Sequence, residues 1–131
     1  MWILRMAIMA FLCAAQTACV TQHEAIPPET RAELIRLGRI ITDKTRGREE
    51  RKGCMTRFRE IICTFIEEYG PYAVSRRTIV EALNLDDDAK YSSHLYSIDN
   101  GNDTYYMLII NYDNRYGAFV RRADIDPEAT T

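Results

Sequence analysis

The chain has 131 residues, of which 47% are hydrophobic and 27% charged, with a net charge of −2. That make-up suits one globular domain and excludes a disordered chain, which is too poor in apolar and aromatic residues to form a core. The charge is uneven: residues 20–60 hold ten Lys and Arg against seven Asp and Glu, whereas residues 61–131 hold six against twelve.

Residues 1–18 predict an export signal. Arg5 precedes the apolar run 6–15, and small residues then lead to Cys19. The run is too short to span a bilayer, which takes about 20 residues. Gln16-Thr17-Ala18-Cys19 resembles the lipobox of bacterial lipoproteins, and the resemblance implies that Cys19 becomes the acylated N-terminus and lipid anchor. Gln16 departs from the Leu-like residue the family prefers there. Ordinary cleavage after Ala15 or Ala18 is the alternative and would yield a secreted protein. The expected address is the periplasm or a membrane held through the lipid, with residues 19–28 as tether, 29–124 as the domain and 125–131 as a flexible tail. The basic stretch Lys44 to Lys52 is interrupted by Glu49 and Glu50, and export removes nucleic acid as a partner. It reads as a solvated inter-helix loop, or as a contact for anionic headgroups near the tether.

Pro27-Pro28 closes the tether, and Thr30 with Glu33 has the spacing of a capping box at the start of a first helix running to about Thr45. Leu34, Ile35, Leu37, Ile40 and Ile41 form its apolar face. Phe58, Ile61, Ile62, Phe65 and Tyr69 recur at three and four through a second helix, which starts at Glu49 or Cys54 and ends at Gly70-Pro71. Cys54 and Cys63, nine residues apart on that helix, would be about 13 Å apart, beyond the roughly 7 Å reach of a disulfide. They are expected as reduced thiols, with Cys63 packed as a small hydrophobe. Ser75 caps a short third helix through Leu83.

Beyond Asp86 the apolar period becomes two. Residues 92–98 and 104–112 read as strands joined at Asp99-Asn100-Gly101-Asn102, where Asn-Gly tolerates positive φ. A turn at Asp113 to Gly117 leads to a third strand over 118–123. The fold class expected is α+β, with two to three N-terminal helices packed on one face of a three-stranded antiparallel meander.

The helix Arg76 to Leu83, then Tyr96-Ser97-Ile98, Leu108 to Asp113 and a Gly-bearing turn are similar to the small SmpA/OmlA-type envelope lipoproteins of the β-lactamase-inhibitor-like fold. The likeness covers under half the chain. It implies a terminal helix and three-stranded sheet serving as a non-catalytic adaptor or inhibitor. Asn84-Leu85-Asp86 stands where the family usually has Gly-x-Pro.

No recognisable nucleophile elbow surrounds Ser92, Ser93 or Cys54, and His94 is the one plausible imidazole base outside the tether. A sheet histidine is more often structural, so a small hydrolase using His94 ranks below a binding module. Asp86-Asp87-Asp88 lacks the Gly and distal Glu of a calcium loop, and no metal or cofactor is expected. Tyrosine is the chemical signature: eight occur, with Tyr96, Tyr105, Tyr112 and Tyr116 on or beside the sheet. A tyrosine offers wide apolar contact and a polar end, which suits a wet interface. Tyr105 opposite Tyr96, near Arg121 or Arg122, is the expected contact for an envelope protein or a glycan. An immunity-type periplasmic inhibitor of a toxin or enzyme is the alternative reading. Asn102-Asp103-Thr104 is a glycosylation sequon only in a eukaryotic host.

Overall fold

Among the described residues, three helices precede three strands, as the change of apolar period predicts. The computed structural model describes residues 23–87, 92–113 and 117–130. The expected signal, Cys19 and Tyr116 lie outside them. The elements are α1 (Pro28–Thr42), α2 (Arg48–Tyr69), α3 (Arg76–Leu83), β1 (Ser93–Asp99), β2 (Tyr105–Tyr112) and β3 (Val120–Ala129). The sheet is an antiparallel meander in the order β1-β2-β3.

α1 begins two residues before Thr30, because Pro28 occupies the first helical position, where its fixed φ suits the helix and its missing N–H is not needed. The capping box is therefore not made. Thr30 N–H donates to the Pro27 carbonyl at 3.0 Å, and Glu33 instead takes two hydrogen bonds from Arg36. α2 ends at Gly70, whose φ of +81° is strained for other residues. The Ser75 hydroxyl accepts from Thr78 N–H at 3.1 Å and caps α3 as expected, and Asn84 closes that helix in the left-handed region.

Leu34, Leu37 and Ile41 of α1, Met55, Phe58 and Ile62 of α2, and Ile79 and Leu83 of α3 are buried with Ile98, Leu108, Ile110 and Val120 of the sheet. One core thus lies between the helices and one sheet face. Cys54 and Cys63 share α2 and are free thiols, and Cys63 packs against this core.

Two boundaries expected from sequence are corrected. The segment 24–28 is no loose tether: Ile26 is buried, Ala25 and Ile26 N–H donate to the Tyr72 and Ala73 carbonyls, and Glu24 accepts from Ser75 N–H at 2.9 Å. Nor is 125–131 simply a tail, since β3 continues to Ala129, with Ile125 opposite Leu108 and Ala129 opposite Tyr105. Pro127 suggests a break, but it falls at a register shift on an edge strand, where a missing donor is tolerated.

Register is the third correction. The hairpin loop is Asn100 to Thr104, closed by Asn100 N–H to the Thr104 carbonyl at 2.9 Å, so Tyr105 faces Asp99 and Tyr96 faces Leu108. The expected Tyr105–Tyr96 pair is off by three positions, an odd number, which puts the two rings on opposite faces.

α1 and α3 approach most closely at Gly38. A Cβ there would lie 2.0 Å from the Ala82 carbonyl oxygen, so only glycine fits. Gly53 on α2 faces open space. Gly38→Ala is expected to destabilise the fold by about 1–3 kcal/mol through overpacking, whereas Gly53→Ala should stabilise it by about 0.5–1 kcal/mol through helix propensity. Urea unfolding of both variants checks the pair.

Candidate functional site

The two faces of the sheet differ in chemistry. Helices cover the inner face, which carries His94, Tyr96, Ile98, Tyr106, Leu108, Ile110 and Tyr112, all buried or packed against the core except where polar groups bond. The outer face carries Ser93, Leu95, Ser97 and Asp99 from β1, Tyr105, Met107, Ile109 and Asn111 from β2, and Arg122, Asp124 and Asp126 from β3. Leu95 is 56% exposed in mid-strand and lies directly opposite Ile109.

The sequence-derived candidates are therefore divided. Tyr105, Arg121 and Arg122 belong to the outer side. Tyr96 packs on the core, and Tyr112 is fully buried. Both rings therefore point away from the open apolar stripe of the outer face.

At the head of the outer face the ladder is irregular. Val120 pairs with Tyr112 and Arg122 with Asn111, which leaves Arg121 as an extra residue, a β-bulge. Arg121 and Arg122 together line a recess of about 180 Å³ with Ser92, Asn111 and Tyr112. Arg122 Nε lies 2.6 Å from Asp124. Alternation along a regular strand would have set the two arginines on opposite faces, so the recess was invisible to pattern reading.

On the inner face, a polar cluster surrounds His94, which is 9% exposed. Its Nε2 faces the Asp86 carbonyl at 3.3 Å, and its Nδ1 faces the Tyr112 hydroxyl at 2.8 Å. A carbonyl can only accept, so Nε2 carries the proton of the neutral ring and Nδ1 accepts from Tyr112. The Arg76 guanidinium stacks 4.5 Å from the Tyr112 ring centre and its Nε donates to Asp87 at 2.9 Å. Burial first, and the Arg76 charge second, hold the His94 pKa below its usual value, while burial pushes that of Tyr112 up. Both ring nitrogens of His94 are engaged structurally, and Asp87 of the acidic run serves Arg76.

Sequence reading missed a second, polar groove of about 560 Å³ between α2 and the hairpin, lined by Glu49, Lys52, Gly53, Thr56, Asn100, Asn102, Tyr106, Pro127 and Glu128. The spacing of Glu49, Lys52, Gly53 and Thr56 marks one face of α2, but nothing local signals that the hairpin would close on it. Within it Tyr106 and Thr56 share a 2.6 Å hydrogen bond, and Lys52 sits 5.4 Å from the Tyr106 ring centre. The basic stretch around it is used within the fold. Arg46 pairs with Asp43 and Glu50, Arg48 donates to the Asn100 carbonyl and Arg51 to that of Ile41.

Comparison with family models, with curated proteins and with solved structures finds no match to this chain. Among the described residues, no helix is long and apolar enough to cross a membrane.

Because the folded pKa of His94 is depressed, its contribution to stability is full above the ordinary histidine value of about 6.5 and declines as pH falls through the lower folded value, the unfolded chain taking the proton first. His94→Gln should cost about 1–3 kcal/mol at pH 7 by leaving Tyr112 poorly paired. The gap between the two proteins should narrow on acidification, and other carboxylates cancel in the difference. Denaturant unfolding at stepped pH measures it, and a gap independent of pH would refute the assignment.

Proposed function

We propose that the chain is a non-catalytic, exported binding module, an envelope lipoprotein held through Cys19, whose outer sheet face takes a protein partner as adaptor or inhibitor. The observation that carries this reading is the apolar stripe left uncovered there: Leu95, 56% exposed, beside Ile109, Met107 and Tyr105. Large apolar groups aligned across strands and bordered by charge are what a protein interface uses. The signal-like start, the small residues before Cys19 and the resemblance to SmpA/OmlA-type lipoproteins support the envelope as the place where that partner is met.

Tyr105→Ala is expected to weaken partner capture from an envelope fraction several-fold without lowering the unfolding midpoint, since the ring stands on the open face. An unchanged capture profile would sink the proposed surface. Intact mass and membrane fractionation of the wild type beside Cys19→Ser test the anchor. The wild type should begin at Cys19 with acyl mass, and the variant should move to the soluble fraction. An unacylated wild type cut after Ala15 or Ala18 would remove the anchor and leave a diffusible module.

A further inference from the structure

A bulge in β3 places Arg121 and Arg122 side by side at the recess that heads the outer face, with Ser92, Asn111 and Tyr112 completing its lining. Resting on the outer face as the binding surface, we infer that this recess grips a carboxylate of the protein partner, with Arg121 as the principal ligand. The guanidinium fork matches a carboxylate with two parallel hydrogen bonds, a fit that a lysine does not reproduce.

The charge balance selects the ligand. Arg122 is already bridged to Asp124, whereas Arg121 has no ion pair among the described residues, so the recess offers about one unit of positive charge. A singly charged carboxylate neutralises it. A phosphate dianion would bring a second negative charge toward Asp124. Immediately below the recess Leu95 and Ile109 form the next cross-strand pair, so a carboxylate attached to an apolar side chain meets both the cation and the stripe. The recess, at about 180 Å³, has room for such a terminal group and little more.

The test is an NMR titration of the full chain, isolated as its host exports it, with N-acetyl-leucine, N-acetyl-leucinamide and inorganic phosphate. N-acetyl-leucine should shift the Arg121 and Arg122 Nε–H signals together with the Leu95 and Ile109 methyls, and the amide should leave the arginine signals unmoved. Arg121→Gln should weaken N-acetyl-leucine binding about fivefold, the factor of a well-formed exposed ion pair, and Arg121→Lys should restore only part of it. Equal shifts from the amide would reduce the site to apolar contact and overturn the inference. Tighter binding of phosphate would overturn the choice of a carboxylate, and no response to any probe would overturn the site. Partner capture separates this inference from the reading beneath it. If Tyr105→Ala abolishes capture while Arg121→Gln and the titration show nothing, the face stands and the carboxylate site falls.

Discussion

The backbone between Tyr72 and Arg76 is the junction on which the arrangement depends. Ala73, Val74 and Arg76 are buried and Ser75 half-buried, so their backbone polar groups must find partners. On one side the Tyr72 and Ala73 carbonyls accept from Ala25 and Ile26, and Ser75 N–H donates to Glu24. On the other, the Val74 carbonyl accepts from Val120 and Arg76 N–H donates to Ala118. One short extended piece thus joins the N-terminal segment, the start of α3 and the start of β3. Glu24 reinforces the joint, since its carboxylate also accepts from the Thr78 hydroxyl at 2.8 Å and pairs with Arg31 at 3.3 Å. A carboxylate at the beginning of a helix is favoured by the exposed amide dipoles there.

From that junction the layers follow. α3 is placed by its first residue, and α1 lies against it where Gly38 lets the two backbones nearly touch. α2 then lies between α1 and the sheet, and from it Arg59 Nε and the Cys63 thiol donate to the Ala123 carbonyl. α2 thereby shields one edge of the meander, and β1, with no strand beyond it among the described residues, forms the other. The His94, Tyr112, Arg76 and Asp87 group pins the ends of the sheet to α3 through polar contacts that tolerate few alternative geometries.

Helices and strands were legible because each is written locally. Ile61, Ile62 and Phe65 repeat at helical spacing, Ser75 carries its cap in its side chain, and the run Tyr105 to Tyr112 has the β-rich composition of a central strand. What failed depended on partners distant in sequence. Glu24 to Ile26 looks like polar linker until Tyr72 to Ser75 supply its hydrogen bonds. Ile125 and Ala129 look like tail until β2 pairs with them. The candidate site was legible in residue type and not in arrangement: Tyr105, Arg121 and Arg122 share the outer side, but a register three positions away from the expected one sent Tyr96 inward, and Tyr112 is buried beside His94. A bulge is a property of two strands together, and neither strand announces it alone.

The Glu24 clamp also has a mechanical meaning. Three residues lie between Cys19 and His23, and the four residue-to-residue steps reach about 14 Å at most when extended. With an acyl group on Cys19, the domain would be held on a leash about as long as the roughly 13 Å radius of gyration typical of a domain of about 100 residues, leaving the point of attachment fixed and the range of tilt narrow. A pull on that leash would load the Glu24, Ala25 and Ile26 bonds before any helix felt it. The domain would stand on its membrane as a hinged post, and not drift above it as a buoy.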